Sequence, residues 1–264
     1  MTGSKTSSSP VVLSAIGGPT AILEIGGLRL LTDPTFSPPG DYVSGSGAVL
    51  TKTAGPALPA DEIGPIDIAL LSHDEHADNL DPAGRALLES AGLVLTTAGA
   101  AERLGGRSRS LGVWETVDAP RPDGGALRVT GAPALHGPKE FADRLVDVRG
   151  FVLSGDGIPT VYVSGDNASL DLVREIGERL GPVEIAVLFA GAAQVSRLPN
   201  ANLTLGSAEA AEAARMLDAR VAAPLHFSGW THFTEGADDL RRAFAAAGLA
   251  DRLVLLAPGE SAVL

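Results

Sequence analysis

Three short apolar runs rich in β-branched residues open the chain: Val11 to Ile16, Ala21 to Ile25 and Leu28 to Thr32. Gly17-Gly18 and Gly26-Gly27 separate them, a spacing that predicts a meander of antiparallel strands joined by tight turns. Residues 33–65 are rich in Gly, Pro and Ser with little periodicity, which predicts a long loop of the kind that often closes over a binding site. The apolar run Ile66-Asp67-Ile68-Ala69-Leu70-Leu71 then predicts a buried strand. Asp81-Pro82 has the chemistry of a helix N-cap followed by a first-turn proline, and predicts a helix over 82–90. Beyond it the pattern predicts a strand at 93–96, a helix at 98–104, and strands at 127–131, 150–153 and 160–164. An amphipathic helix follows at 170–180, stopped by Gly181-Pro182. The chain ends with a strand at 185–189, a helix from the capping Ser207 to Asp218, a strand at 221–224, a helix at 237–247 and a last strand at 253–256. Strands cluster first and then alternate with helices, a mixed α/β arrangement.

Composition narrows the chemistry. Of the 264 residues 45% are hydrophobic but only 4% aromatic, so the core is built mainly from Ala, Val, Leu and Ile. There is no cysteine, which removes disulfides and thiolate chemistry and leaves His, Asp, Glu and Asn as metal ligands. A formal charge of -12, without a basic block, argues against nucleic acid as a partner. The Ser-rich residues 1–10 lack an apolar segment and are expected to be a disordered leader, followed by one domain over 11–264. No apolar run is long enough to span a membrane, and a cytoplasmic location is expected.

The polar residues that break this pattern gather at predicted strand ends. Leu70-Leu71 runs into Ser72-His73-Asp74-Glu75-His76-Ala77-Asp78-Asn79, which holds two of only five histidines. The strand at 127–131 leads to His136, that at 160–164 to Asp166-Asn167, and that at 221–224 to His226, with Trp230 and His232 close behind. In α/β sheets ligands collect beyond strand ends, so one cleft can gather these side chains. Neutral imidazole suits zinc, iron or manganese, and carboxylates can bridge two ions.

These residues resemble the metallo-β-lactamase fold hydrolases, and among them the L-ascorbate-6-phosphate lactonase-like (UlaG-like) branch. Gly17 to Glu24 with Leu30-Leu31-Thr32-Asp33-Pro34 is similar to the opening hairpin of that branch, and Ser72 to Asp81 to its metal motif. His136, Asp166 and His226 follow in the family's order. The resemblance implies a four-layer αββα sandwich with mixed sheets and outer helices. It implies a first metal site of His73, His76 and His136, and a second of Asp78, His226 and the bridging Asp166. One or two divalent ions are expected, zinc first, with manganese or iron as alternatives. The sequence departs from the family's His-x-His-x-Asp-His by one extra residue and by Asn79 in place of the last histidine. Other registers put Glu75 in the second histidine's position or make Asp74 the first ligand. Glu75 or His232 could also stand in for the histidine missing at Asn79.

The activity so implied is hydrolysis of a small ester, lactone, amide or phosphodiester by hydroxide that the metal generates. Asp78 would orient the nucleophile or accept its proton, and His232 would serve as an outer donor or acid. The alternative is a degenerate member of the fold that binds a metal or ligand without hydrolysis, in a biosynthetic setting. Asp33 is expected to cap a turn, Asn167 to cap the following helix, Asp74 to hold a ligand imidazole or solvent, and Trp230 to line the pocket or pack on the core. Substrate choice is expected to lie in residues 33–65 and 191–206. The expected partner is a small-molecule substrate, and a homo-oligomer is compatible with the sequence.

Overall fold

The computed structural model describes residues 10–45, 47–198 and 200–264. The leader expected at 1–10 lies outside these apart from Pro10. In chain order the strands and helices are β1 (Val12–Gly17), β2 (Thr20–Ile25), β3 (Leu28–Thr32), β4 (Gly40–Val43), β5 (Val49–Lys52), β6 (Ile68–Leu70), α1 (Pro82–Leu88), β7 (Leu93–Thr96), α2 (Ala98–Leu104) and β8 (Ser108–Ser110). They continue with β9 (Thr116–Pro120), β10 (Ala126–Pro133), β11 (Arg149–Ser154), β12 (Val161–Val163), α3 (Leu170–Leu180), β13 (Ile185–Phe189), α4 (Ser207–Met216), β14 (Val221–Leu225), α5 (Ala237–Ala246) and β15 (Ser261–Val263).

Two mixed sheets result, ordered β15-β1-β2-β3-β6-β7-β8 and β14-β13-β12-β11-β10-β9. Alternation along each strand explains how they pack. Leu23, Leu30, Ile68 and Leu70 of the first sheet meet Leu127, Phe151, Val163 and Phe189 of the second in one core. The opposite side chains face outward against helices. Tyr162, Ala186 and Leu188 pack on Val173 and Ile176 of α3, on the alanines of α4, and on Leu240 and Phe244 of α5. On the other side Ile22, Leu31 and Ala69 are covered by Leu88 of α1 together with Phe36, Ile63 and Ile66. This is the expected order of helices, sheet, sheet and helices.

The second sheet changes character at β12, which pairs antiparallel with β11 but parallel with β13. Parallel strands need crossovers, here α3 and α4, and their C-terminal ends open together at one edge of the sandwich.

Several expectations need correction. Residues 33–65 are not loop throughout, because β4 and β5 pair as a separate two-stranded hairpin. The short polar strands β8 and β9 carry too few apolar residues to show in the pattern. The last strand is not at 253–256: Leu253 forms only an isolated bridge to Ala222, and the chain crosses over to pair β15 with the edge strand β1. Ser207 is the first residue of α4 rather than its cap, and its N–H donates to Glu235 Oε2 at 2.6 Å. Among the described residues no helix is long and apolar enough to cross a membrane.

Candidate metal centre

The motif after β6 is buried and tightly braced. Ser72 N donates to Asp33 Oδ1 at 2.6 Å, and Arg149 N, from β11, donates to Ser72 O at 3.0 Å. Asp33 is 1% exposed, so it holds the motif instead of capping a surface turn as expected. Burial pushes its carboxyl up to about 7, against the hydrogen bonds from Ser72. Its φ of 22° and the φ of 57° at His226 are uncommon for residues with a side chain, and such backbone clusters at functional sites.

Three imidazoles converge. His76 Nδ1 lies 2.8 Å from His73 Nε2 and 3.2 Å from His136 Nε2. The far side of the His136 ring is committed, since Nδ1–H donates to the Leu203 carbonyl at 2.7 Å and leaves Nε2 as a lone pair facing the cluster. His73 Nδ1 is 2.9 Å from Ser72 Oγ. A single proton on His76 Nδ1 could satisfy only one of its two nitrogen neighbours. Burial first, then the neighbouring rings, holds His73 well below its usual value and brings His136 down to about 3. The rings are therefore neutral at physiological pH, the state in which imidazole binds a metal.

The carboxylates complete two overlapping sets. One ligand atom from each of His73, His76, His136 and Asp166 lies within 4.8 Å of the others, and so does one from each of Asp78, Asp166 and His226. Both Asp166 oxygens, Asp78 Oδ1 and both His226 nitrogens are buried without a well-formed hydrogen bond. Burial raises the Asp166 carboxyl well above the usual carboxylate range, and Asp78 and Asp33 add to the rise. Asp78 goes the other way: burial opposes its charge, but His232 and His226 hold it well below that range. Its Oδ2 lies 2.9 Å from His232 Nε2 and 3.3 Å from His226 Nε2. Buried lone pairs and carboxylates without partners are costly, and a cation among them answers all of them at once. The donor set fits a divalent metal.

The residues of the alternative registers point elsewhere. The Asp74 side chain, 1% exposed, is gripped by Arg85 at 3.2 Å and by Arg103 through Nε at 3.0 and 3.1 Å. It therefore touches neither imidazole nor the cluster, contrary to expectation. Glu75 also pairs with Arg103. The extra residue of the motif is absorbed by turning Asp74 and Glu75 outward onto α1 and α2. Asn79 is fully buried, its Nδ2 3.5 Å from Ser72 Oγ, and its Oδ1 has no hydrogen bond. Asn167 is not the cap of α3, which is Ser169; its Oδ1 accepts from Leu135 N at 3.1 Å and so fixes the segment that carries His136. Trp230 packs with Leu50 and Ala77 under the hairpin, and Lys52 Nζ lies 5.5 Å from its ring centre.

The mouth of the site is formed by Ser44, Ala48 and Leu50 of the hairpin, by Ala193, Val195, Arg197 and Leu203, and by His76, Asp78, His136 and His232. Its free volume is ≈ 20 Å³. That is room for about one water, which needs roughly 10–15 Å³. The hairpin turn is fastened to the motif by Gly45 N, which donates to Glu75 O at 2.7 Å.

Comparison with known proteins agrees with this architecture. The β-lactamase superfamily domain matches residues 28–227. The chain belongs to the β-lactamase superfamily. A UPF0173 metal-dependent hydrolase of Pelotomaculum thermopropionicum is 30% identical over 206 residues, covering 74% of this chain and 81% of the relative. Another from Pyrococcus abyssi is 24% identical over 224 residues, covering 83% and 93%. Two solved structures share the fold of this superfamily member. An isothiocyanate hydrolase from Delia radicum gut bacteria gives a TM-score of 0.80 at 23% identity, covering 95% of this chain and 98% of that one. The metallo hydrolase Igni18 from Ignicoccus hospitalis gives 0.70 at 20% identity, covering 97% and 99%.

The sequence pointed to the residues of both ligand sets but missed their supports. Arg85, Arg103 and the Leu203 carbonyl carried no motif signal of their own, and Ser72 stood in the motif without a role. Asp33 stood in a recognised segment, but its burial was not visible.

Proposed function

We propose that the protein is a metal-dependent hydrolase of a small ester, lactone, amide or phosphodiester. The observation that carries this reading is the convergence of buried imidazoles from His73, His76 and His136 with the partnerless oxygens of Asp78 and Asp166 and the partnerless nitrogens of His226. His73, His76, His136 and Asp166 would hold one ion, and Asp78, Asp166 and His226 a second. Three imidazoles with a carboxylate suit zinc, while the oxygen-richer second set also suits manganese or iron. When bound, such an ion polarises a carbonyl or phosphoryl oxygen and makes hydroxide available from water near neutral pH.

The chain's own groups do the rest. Asp78 accepts from His232 Nε2–H through Oδ2, which leaves Oδ1 free to orient water and take its proton. His232 Nδ1, buried and without a partner, would donate to the leaving group at the mouth only from the doubly protonated ring, because the single proton of the neutral ring is the Nε2–H held by Asp78. The hairpin and Leu203 exclude bulk water from the reacting atoms. The resemblance to the ascorbate-6-phosphate lactonase branch puts lactones first among substrates to try. A non-hydrolytic reading draws on one observation, Asn79 where the superfamily motif has a ligand, which leaves the second set with three donors.

The test is metal content per chain by elemental analysis, after purification without chelator, for the wild type and His136→Ala, with a panel of lactones and phosphodiesters. Bound metal that is lost in His136→Ala, together with turnover of a panel member, is expected. A protein that takes up no metal even on reconstitution would sink the proposal.

A further inference from the structure

Most arginines of this acidic chain are tied down. Arg85 and Arg103 hold Asp74, Arg121 holds Asp123, and Arg128, Arg174, Arg215, Arg241 and Arg242 pair with carboxylates on the surface. Arg197 differs. It is exposed, and among the described residues it makes no ion pair or hydrogen bond. Among the described residues it is also the one permanently charged cation lining the mouth of the candidate metal centre, where Ala48, Leu50, Ala193, Val195 and Leu203 are apolar.

Arg197 lines a second space as well. A cavity of ≈ 250 Å³ beside it is walled by Phe141, Leu145 and Leu198, all half-buried. Phe141 and Leu145 belong to the short 3-10 turn that follows His136, and Leu198 to the segment that ends at the Leu203 carbonyl. The guanidinium thus stands between the reacting centre and a chamber to which Phe141, Leu145 and Leu198 contribute apolar side chains. A cation left unpaired on a protein of charge -12 is a site for an anion. The planar fork of arginine fits an oxyanion in two-point contact, and the Phe141, Leu145 and Leu198 side chains offer apolar surface to the rest of the ligand.

We propose that Arg197 with the Phe141, Leu145 and Leu198 chamber forms a subsite for an amphipathic substrate, whose carboxylate binds the guanidinium while its apolar chain fills the chamber. The proposal names the substrate class for the hydrolase reading and rests on it. Binding without turnover separates the two.

Calorimetric titration of the metal-loaded protein would compare octanoate, octanol and octyl phosphate, for wild type, Arg197→Gln and Arg197→Lys. Octanoate is expected to bind roughly ten-fold tighter than octanol, the worth of one charge-assisted hydrogen bond. That difference is expected to vanish in Arg197→Gln and to persist largely in Arg197→Lys. Carboxylate binding to the metal itself would survive Arg197→Gln unchanged and would overturn the proposal, as would equal binding of octanoate and octanol. Tighter, Arg197-dependent binding of octyl phosphate would overturn the carboxylate in favour of a phosphate. Phe141→Ala should weaken octanoate and octanol alike, and no change there would remove the chamber from the subsite. Arg197-dependent octanoate binding by a protein that hydrolyses nothing would uphold the subsite and reject the hydrolase.

Discussion

Asn79 is the residue on which the second ion turns. Its amide is buried beside Ser72, and its Oδ1 makes no hydrogen bond. Asn79→His restores an imidazole to the position where the superfamily motif carries one. We expect it to raise the occupancy of the second ion in elemental analysis, and an unchanged metal content would count against the assigned second set. Arg103 acts at one remove, through Asp74 and Glu75. Arg103→Ala should free the outward turn of the motif and weaken metal binding about ten-fold, within the range seen for supporting groups around ligands, while Arg103→Lys keeps part of it. Competition with a chromophoric chelator reads both. At this scale the sequence was informative about ligands, because histidines and aspartates stand out at strand ends. It misplaced Asp74, whose partners Arg85 and Arg103 lie on helices that spacing alone could not bring together.

Lys52 shows how one element is fastened to another. It stands at the end of β5, 4% exposed, with Nζ 3.0 Å from Asp81 Oδ2 and 2.9 Å from the Thr35 carbonyl. Asp81 also caps α1 through Gly84 N and accepts from Phe36 N and Ser37 N. Burial lowers the Lys52 amine, although Asp81 pulls it back up. Removing one partner of such a buried pair costs about 3–5 kcal/mol, so Lys52→Met should lower the urea midpoint markedly. A near-neutral result would mean that Asp81 is satisfied by its backbone donors alone. Gly165 fixes another junction. At φ +56° its added Cβ would lie 2.7 Å from Arg149 O and 2.8 Å from Ser72 Cβ. Gly165→Ala should destabilise by about 1–3 kcal/mol and move Asp166 enough to loosen the metal. Strand periodicity made β1, β2, β3, β12 and β13 legible, since each buries an alternating or continuous apolar face. The hairpin β4–β5 was not, because Val43 and Val49 are 72% and 59% exposed and its pairing is set by contacts with the motif.

For the molecule as a whole, metal loading and proton release are linked. The imidazoles are held below their usual value by burial and carry no proton to lose near neutral pH. Asp166 is held well above its own, so its proton has to leave when an ion binds. Affinity should therefore rise with pH until Asp166 has lost its proton, and calorimetry in buffers of different ionisation enthalpy should show proton release on binding. Affinity that is flat with pH would remove Asp166 from the ligands. An ion present at ~1,000 times its dissociation constant would also stabilise the fold by about 4 kcal/mol, visible as a fall in Tm on chelation.

The proposed ligands come from both halves of the sandwich: His73, His76 and Asp78 follow β6 in one sheet, and His136, Asp166 and His226 follow β10, β12 and β14 in the other. The shared apolar core closes the two sheets along most of their length, but at this edge buried lone pairs and carboxyl oxygens face one another without partners. An ion held there would be a clasp as well as a reagent. Stripped of it, the sandwich should loosen from that edge inward, with amides around Ser72, Gly165 and His226 exchanging with deuterium well before those of Leu23 or Val187 deep in the shared core.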